Sequence, residues 1–579
     1  MDNYYSCMKS ENNLYCNVQS SLEISGVNSK LLEFVKNNTA DEKTFNRNFV
    51  HRAFCLPRVE SQNSSMLEHH FKKLMNFETQ KFNYVNISDV EIVSCTEKTK
   101  TPMYYDFVFL LFLCLYLLFV AYATIFARKA PKVDAKETQF DVLKTFSLVE
   151  NWKRRTSDSK NSDFQNLLSM QGLRFFLLLP IIYFHTVMIN VMAFVTNPIQ
   201  FEQMLRYDNT WMVFIVLPFF LMSSWLLILQ VNNIYDNQGK LSFKNVVIII
   251  INRYFRLIVS VAFTMLFLFS SLVSKFEGPL TFTILNLNGR ACRKNWFYSL
   301  TLFGNYDVIL NLCNGVSWYV SADFQVYVIN LLLLYAKLKY NLRNRTFYVG
   351  LLLAVCFLHG FIVYQYGNDI IYTPSVRNFE EIGVRTSEKF VWYYTSTYSI
   401  WGCSIVGLIF GTIYYNIKAT PMKCNKMVTI LGGILAVSFP LLALRLSSKQ
   451  TDDRMEAAFL ASVVKPLFNL GFAIGLLGMA KNYGGFLKKV FEWKFFVVMG
   501  NFTFFTYLIH MGPILLMHSL KDWPFYASSY QLILDFAKAN AVCWPIGFLL
   551  SLIIEEPSLI IQRKFLPQVV YKKSEEKAS

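Results

Sequence analysis

Arg174-Phe-Phe-Leu-Leu-Leu-Pro-Ile-Ile-Tyr-Phe-His185 sets ten uncharged residues between a guanidinium and an imidazole. The apolar run around them predicts a membrane span over residues 172–195. Ionisable side chains inside a span are costly, so they turn toward a protein interior or a water-filled cavity and mark functional sites. About 70 residues on, a second apolar segment carries Asn252-Arg253-Tyr254-Phe255-Arg256. One His and three Arg in two spans point to a membrane protein that handles an anionic substrate or cofactor.

Composition agrees. Charged residues make up 16% of the 579-residue chain, against about 25% in soluble domains. Apolar blocks run to about 20 residues, the length that crosses a ~30 Å hydrocarbon layer. The net charge of +17 comes largely from Lys and Arg in short loops between those blocks. That distribution is the positive-inside pattern of a membrane topology rather than a nucleic-acid footprint, and no nucleic-acid partner is expected.

The first span is Met103 to Phe126, followed by Arg128, Lys129, Lys132 and Lys136. That side is therefore read as cytoplasmic and residues 1–102 as lumenal or extracellular. Sequons at Asn37, Asn63 and Asn86 fit that placement, as do Cys7, Cys16, Cys55 and Cys95 in a polar segment. Four cysteines allow three pairings, and the sequence does not choose among them. The start Met1-Asp2-Asn3-Tyr4-Tyr5 has no signal-peptide character, so the reading expects either that the first span pulls the N-terminus across or that a true start lies upstream.

Ten further spans are expected, roughly at 172–195, 210–231, 246–273, 317–336, 347–366, 396–416, 427–446, 457–480, 495–519 and 529–554. Cation clusters at Lys337 to Arg345, Lys418 to Lys426, Lys481 to Lys494 and Arg563 to Lys573 alternate as that topology requires. The expected fold class is thus an all-α membrane protein of about eleven transmembrane helices. Its parts are a Cys-containing domain (1–102), a first span (103–127), a cytoplasmic linker (128–171), a ten-helix core (172–556) and a cytoplasmic tail (557–579). Cys292 and Cys313 share one long loop and are candidates for a disulfide. Cys114, Cys356, Cys403 and Cys543 are expected to be core thiols.

Several residues are candidates for chemistry. Eleven steps of 1.5 Å place His185 about 16 Å deeper than Arg174, near mid-membrane, where an imidazole can act as a general base. Pro180 between them can kink the helix and open a cavity. Arg253 and Arg256 share a helix face at i and i+3 and form a candidate anion clamp. Ser317-Trp318-Tyr319-Val320-Ser321-Ala322-Asp323-Phe324-Gln325 opens a span with two polar side chains that need partners. Asp323 could orient a His or bind a substrate hydroxyl. His510 lies in another span, and Glu556 is positioned to meet an Arg at the end of the last. No Walker A, G-x-S-x-G, G-x-G-x-x-G or H-E-x-x-H motif is present, and His69-His70 is a poor metal site, so no metal is expected.

Together these residues resemble the acyltransferase 3 family, with the closest look to the animal "nose resistant to fluoxetine" group. The carriers are Arg174 with ten residues to His185, Arg253 with Arg256, the stretch Ser317 to Gln325, Tyr507-Leu-Ile-His510, the lead-in Phe146-Ser147 to Asn151, and the Cys-containing N-terminal segment. The chain departs from the family pattern at Ser224, at Ile258-Val259, at Tyr398-Ser399 and at Lys465. The resemblance implies transfer of an acyl group from acyl-CoA to a hydroxyl. The implied catalytic residues are His185, Asp323 and His510, and the donor would be held by Arg174, Arg253 and Arg256. Ser317, Trp318 and Gln325 would bind the acceptor, a lipid or other hydrophobic molecule. The implied setting is the plasma membrane or the endoplasmic reticulum. A non-catalytic lipid or drug carrier is the alternative, and a scaffold acting through the N-terminal domain a third reading.

Overall fold

The computed structural model describes residues 2–10, 12–24, 29–40, 44–57, 64–79, 85–96, 104–127, 141–157, 162–192, 195–205, 210–269, 278–279, 281–307, 311–367, 369–373, 376–377, 388–420, 425–521 and 524–569. Among them, ten helices are long and apolar enough to cross a bilayer, and a bent pair makes an eleventh span.

The N-terminal domain is not helical throughout. Its centre is an antiparallel sheet of three strands, β1 (Asn13–Ile24), β2 (Phe49–Pro57) and β3 (Val85–Thr96), in the order β2-β1-β3. Helices α1 (Ser29–Ala40) and α2 (Ser64–Thr79) lie in the connections between the strands. Disulfides Cys7–Cys55 and Cys16–Cys95 select one of the three possible pairings, and Cys16 and Cys95 are direct cross-strand partners. Of the sequons, Asn37 and Asn86 are exposed on α1 and β3, and Asn63 lies outside the described residues.

Helix α3 (Tyr104–Ala127) is the first span and turns most of its apolar surface outward. Cys114 is exposed on it, against the expectation of a core thiol, because little packs against this helix. Cys403 and Cys543 are buried as expected. After residues 128–140, which lie outside the described set, α4 (Leu148–Thr156) begins at an Ser147 N-cap whose hydroxyl accepts from Glu150 N. The core then runs α5 (Leu168–Val191), α6 (Leu217–Gln238), α7 (Phe243–Phe269), α8 (Thr281–Leu300), α9 (Trp318–Lys339), α10 (Asn344–Tyr366), α11 (Thr397–Ile417), α12 (Lys426–Ser447) and α13 (Arg454–Ala480). It closes with α14 (Lys494–Ile509), α15 (Met511–Ser519), α16 (Ser529–Leu550) and α17 (Glu556–Phe565).

Four features differ from the sequence reading. Helix α5 begins and ends about one turn earlier than expected, so His185 sits six residues from its C-terminal end rather than at its middle. The long loop after α7 contains a helix, α8, and its end is tied back by the disulfide Cys292–Cys313. The span expected at 495–519 is broken, with α14 and α15 meeting at 53° around His510. Pro513 explains the break, since it has no N–H to offer Ile509 and its ring crowds that carbonyl. The last span does not stop at 554. It passes through a π-helical turn, Ser551–Glu555, into α17, where Gln562 donates to the Asn252 carbonyl of α7.

Small residues let α5 and α14 touch backbone to backbone. A Cβ on Gly500 would lie 2.1 Å from the Gln171 carbonyl oxygen, and one on Gly172 would lie 1.9 Å from that of Phe491, at the end of the short helix Gly485–Phe491 that precedes α14. This close packing brings the C-terminal ends of α5 and α14, and hence His185 and His510, together. Gly500→Val is expected to cost about 1–3 kcal/mol through overpacking, read as a lower thermal midpoint in detergent. An unchanged midpoint would deny the contact its structural importance.

The N-terminal domain is docked on the core by specific bonds. Arg47 Nη2 donates to both carboxylate oxygens of buried Glu202 at 2.6 and 2.7 Å. Arg377 Nη1 donates to the Thr39 carbonyl at 2.7 Å. Asn17 Nδ2 donates to the Pro279 carbonyl and the Tyr5 hydroxyl to that of Leu520, each at 3.0 Å. Phe45 completes the contact by packing with Val187 and Val191 of α5.

Candidate functional site

Two cavities lie along α5, one at each side of Tyr507. The first is polar, about 1070 Å³, and is lined by Arg155, Arg174, Arg253, Arg256, Tyr319 and Asp323 among others. The second is about 560 Å³, mainly apolar, and is lined by His185, Pro180, Phe184, Trp318 and Tyr394 among others. Both volumes are of the order of small-molecule and cofactor sites, ~300–1,000 Å³. Val216 and Tyr507 belong to both walls and form the partition. Tyr507 is fixed there by donating its hydroxyl to the Val316 carbonyl at 2.9 Å, with its ring 5.4 Å from that of Tyr319.

The polar cavity collects cations from four elements. Arg253 of α7 reaches Asp323 of α9 in an ion pair and donates to Ser223 Oγ at 3.0 Å, while its guanidinium lies 4.5 Å over the Tyr327 ring. Asp323 is therefore brought to Arg253, and not to a histidine. Arg256 is one turn along α7 and exposed toward the cavity, and it makes no hydrogen bond or ion pair among the described residues. Among the described residues, Arg174 of α5 donates only to Gln171, one turn back on its own helix, at 3.1 Å. Arg155 of α4 bridges Glu555 at 2.9 Å and Glu556 at 2.6 Å. Burial would pull its pKa down, but the two carboxylates hold it above its ordinary value. Three of the carboxylates beside this cavity are thus committed to other Arg side chains, and among the described residues Arg174 and Arg256 have no carboxylate of their own in an ion pair. A cavity walled this way attracts an anion with several oxygens.

The two histidines meet across the partition from this basin. His510 Nε2 lies 3.0 Å from His185 Nδ1, and His510 Nδ1 faces the Tyr507 carbonyl. A carbonyl only accepts, so His510 Nδ1 carries the proton and donates it. With both rings neutral, His510 Nε2 then has the lone pair and accepts from His185 Nδ1–H. His185 Nε2 is left with its lone pair, and His185 is one of the residues lining the apolar cavity. This is the arrangement of a base held in one tautomer by an orienting partner.

The remaining candidates divide. Trp318 lines the apolar cavity, its ring 4.8 Å from that of Tyr394. Ser317 donates to the Asn314 carbonyl at 2.7 Å in the turn that starts α9, and lines neither cavity. Gln325 donates to the Leu302 carbonyl and to Asn305 Oδ1, both at 2.7 Å, and accepts from Thr397, so it too is taken up by the fold. Among the described residues no three His, Cys, Asp or Glu side chains are grouped to hold a metal ion. The sequence assigns no role of their own to Tyr319, Tyr507 and Arg155, although the first two lie in stretches that carry the family resemblance. Arg155 had a signal, the basic run Lys153-Arg154-Arg155, but that run also serves as a topology marker.

A family model described as an acyltransferase domain matches residues 167–554. No curated protein and no solved structure matches the chain.

Proposed function

The chain belongs to the acyltransferase 3 family of membrane proteins, and from that premise we propose that it transfers an acyl group from acyl-CoA to a hydroxyl. The observation that carries the reading is the order along α5. A cavity lined by several Arg side chains lies at Arg174, an imidazole at His185, and about 16 Å of helix separates them. Coenzyme A has the same layout, with phosphates at one end and its thiol at the end of an extended pantetheine arm. The donor enters from the cytoplasm, its phosphates meet Arg174 and Arg256, and its thioester passes Tyr507 to reach His185. Arg253 stays paired with Asp323 and shapes the wall.

The chemistry then balances on one proton. The acceptor's O–H proton moves to His185 Nε2 as the oxygen attacks the thioester carbonyl. The new C–O bond forms and the C–S bond breaks. The leaving thiolate takes the proton back from His185 and departs as a thiol. His510 moves no proton to the substrate; it holds the His185 ring and stabilises the imidazolium through the Nδ1–H bond. The N-terminal domain lies on the lumenal or extracellular face and α17 on the cytoplasmic one.

The test is acyl transfer by the full chain in nanodiscs, supplied with labelled acyl-CoA and hydroxylated lipids. The expected result is an esterified product whose formation depends on the donor. A second reading, a carrier without catalysis, has the apolar cavity in its favour. Saturable movement of a hydrophobic ligand with no acyl-CoA requirement, and no product, would favour it instead.

A further inference from the structure

The apolar cavity has a side opening. Leu117 of α3, Phe267 of α7 and Val542, Ile546 and Leu549 of α16 all line it, yet each is 38–46% exposed on the outer surface of the bundle. A residue that is both wall and surface marks a mouth. Below the mouth, α7 packs against residues 551–555 and α17, which closes the lower part of the gap. Helix α3 stands beside the opening, pinned where the Tyr116 hydroxyl donates to the Ile553 carbonyl, and Ile553 itself lines the cavity. The surface around the mouth consists of apolar faces of membrane-spanning helices, so what meets it is bilayer hydrocarbon. His185 is on the wall of the same cavity.

We propose that the acceptor is a membrane lipid bearing a hydroxyl, and that its hydrocarbon chain enters sideways between α7 and α16, past α3. The chain lies in the apolar cavity and sets the hydroxyl at His185 Nε2. The inference rests on the acyl-transfer reading for its chemistry, but the lipid path itself is a matter of geometry and can be tested without turnover. The path needs no rearrangement of the polar basin, because Tyr507 and Val216 separate the two cavities. Donor and acceptor therefore arrive by different routes, one from the aqueous side and one from the bilayer.

The experiment uses the full chain in nanodiscs containing a monoacylglycerol with a diazirine near the end of its chain. After illumination, mass spectrometry locates the adducts. Phe184, Met188 and Met511 face the cavity, and Leu118 is a bilayer-facing control at 67% exposure. Adducts are expected on the cavity residues, and Ile546→Trp should lower them by about tenfold while sparing Leu118 and acyl-CoA binding. Phe267→Ala, which widens the mouth, should raise them, and it serves as the second variant if the first fails to fold. Adducts confined to Leu118-like positions, or cavity adducts that ignore both variants, would overturn the portal. Cavity adducts without any acyl transfer would overturn the acyl-transfer reading and leave the portal standing. Transfer to a water-soluble alcohol with no cavity adducts would do the reverse.

Discussion

His185→Ala is expected to lower acyl transfer by about 10²–10⁴-fold, the usual cost of removing a general base, while acyl-CoA binding stays within error of wild type. In the proposed mechanism the group acts on the acceptor's proton, and the donor's phosphates meet the other end of α5. His510→Ala should cost less, about 10–100-fold, because it removes the partner that fixes the ring and not the base itself. His510→Gln keeps an oxygen that can accept from His185 Nδ1–H, so it should recover part of that loss. A merely structural role for His510 predicts no such rescue. Single-turnover rates in nanodiscs check all three variants. Wild-type rates in His185→Ala would rule the residue out as the base.

Arg256→Ala should weaken acyl-CoA binding by about 10–100-fold, the worth of one or two charge-assisted bonds to a phosphate. The protein should remain folded, because among the described residues Arg256 makes no hydrogen bond or ion pair that the mutation could break. Binding should also weaken as salt is raised, with a shallower dependence in the variant. Arg253→Ala has a different expected outcome. It leaves Asp323, a buried carboxylate, without its ion-pair partner, which costs about 3–5 kcal/mol. Loss of folded protein should therefore precede any clean binding defect, and adding Asp323→Asn should restore the fold. Equal binding defects in two equally stable single variants would contradict this division of roles. Equilibrium binding alongside thermal midpoints makes the comparison.

The division was not legible in the sequence. Arg253 and Arg256 sit at i and i+3 and look like one clamp. What separates them is a carboxylate 70 residues away on another helix. Arg155 shows the same limit. A cation just after or before a span looks the same whether it anchors the helix in the interface or closes a bridge to Glu555 and Glu556. Glu556 was legible as a partner for some Arg, because a carboxylate at a span end needs one, but not as a partner for this Arg. The spans themselves were legible, since twenty apolar residues flanked by cations have few other uses. The end of the last span was not. Gln562, Arg563 and Lys564 stop the hydropathy, while the helix goes on because it packs along α7. The three-stranded sheet was likewise hidden, because short strands in a polar, disulfide-linked domain leave little alternation to read. His185 and His510 were each visible as buried ionisable groups. Their contact was not, because it depends on Gly500 letting the backbones of α5 and α14 touch.

The anchoring of the N-terminal domain carries a consequence for how the molecule is made. Its partners leave the ribosome in a fixed sequence: Glu202 first, then Pro279, Arg377 and last Leu520. The span from Tyr5 to Leu520 is 515 residues, which takes on the order of 25–100 s at about 5–20 residues per second. The domain can close its own disulfides long before that, since their loops span only 48 and 79 residues. Synthesis therefore passes through a stage in which the domain is oxidised and self-contained but held only near Arg47 and Phe45, by the Arg47–Glu202 bridge, the Phe45 N–H bond to Glu202 and the packing of Phe45 on α5. Each later partner adds a tether, and the last is added only when α15 has been laid down. The seated domain is in effect a check on completion: a chain truncated before α15 would carry a fully oxidised domain that is still loose at Tyr5.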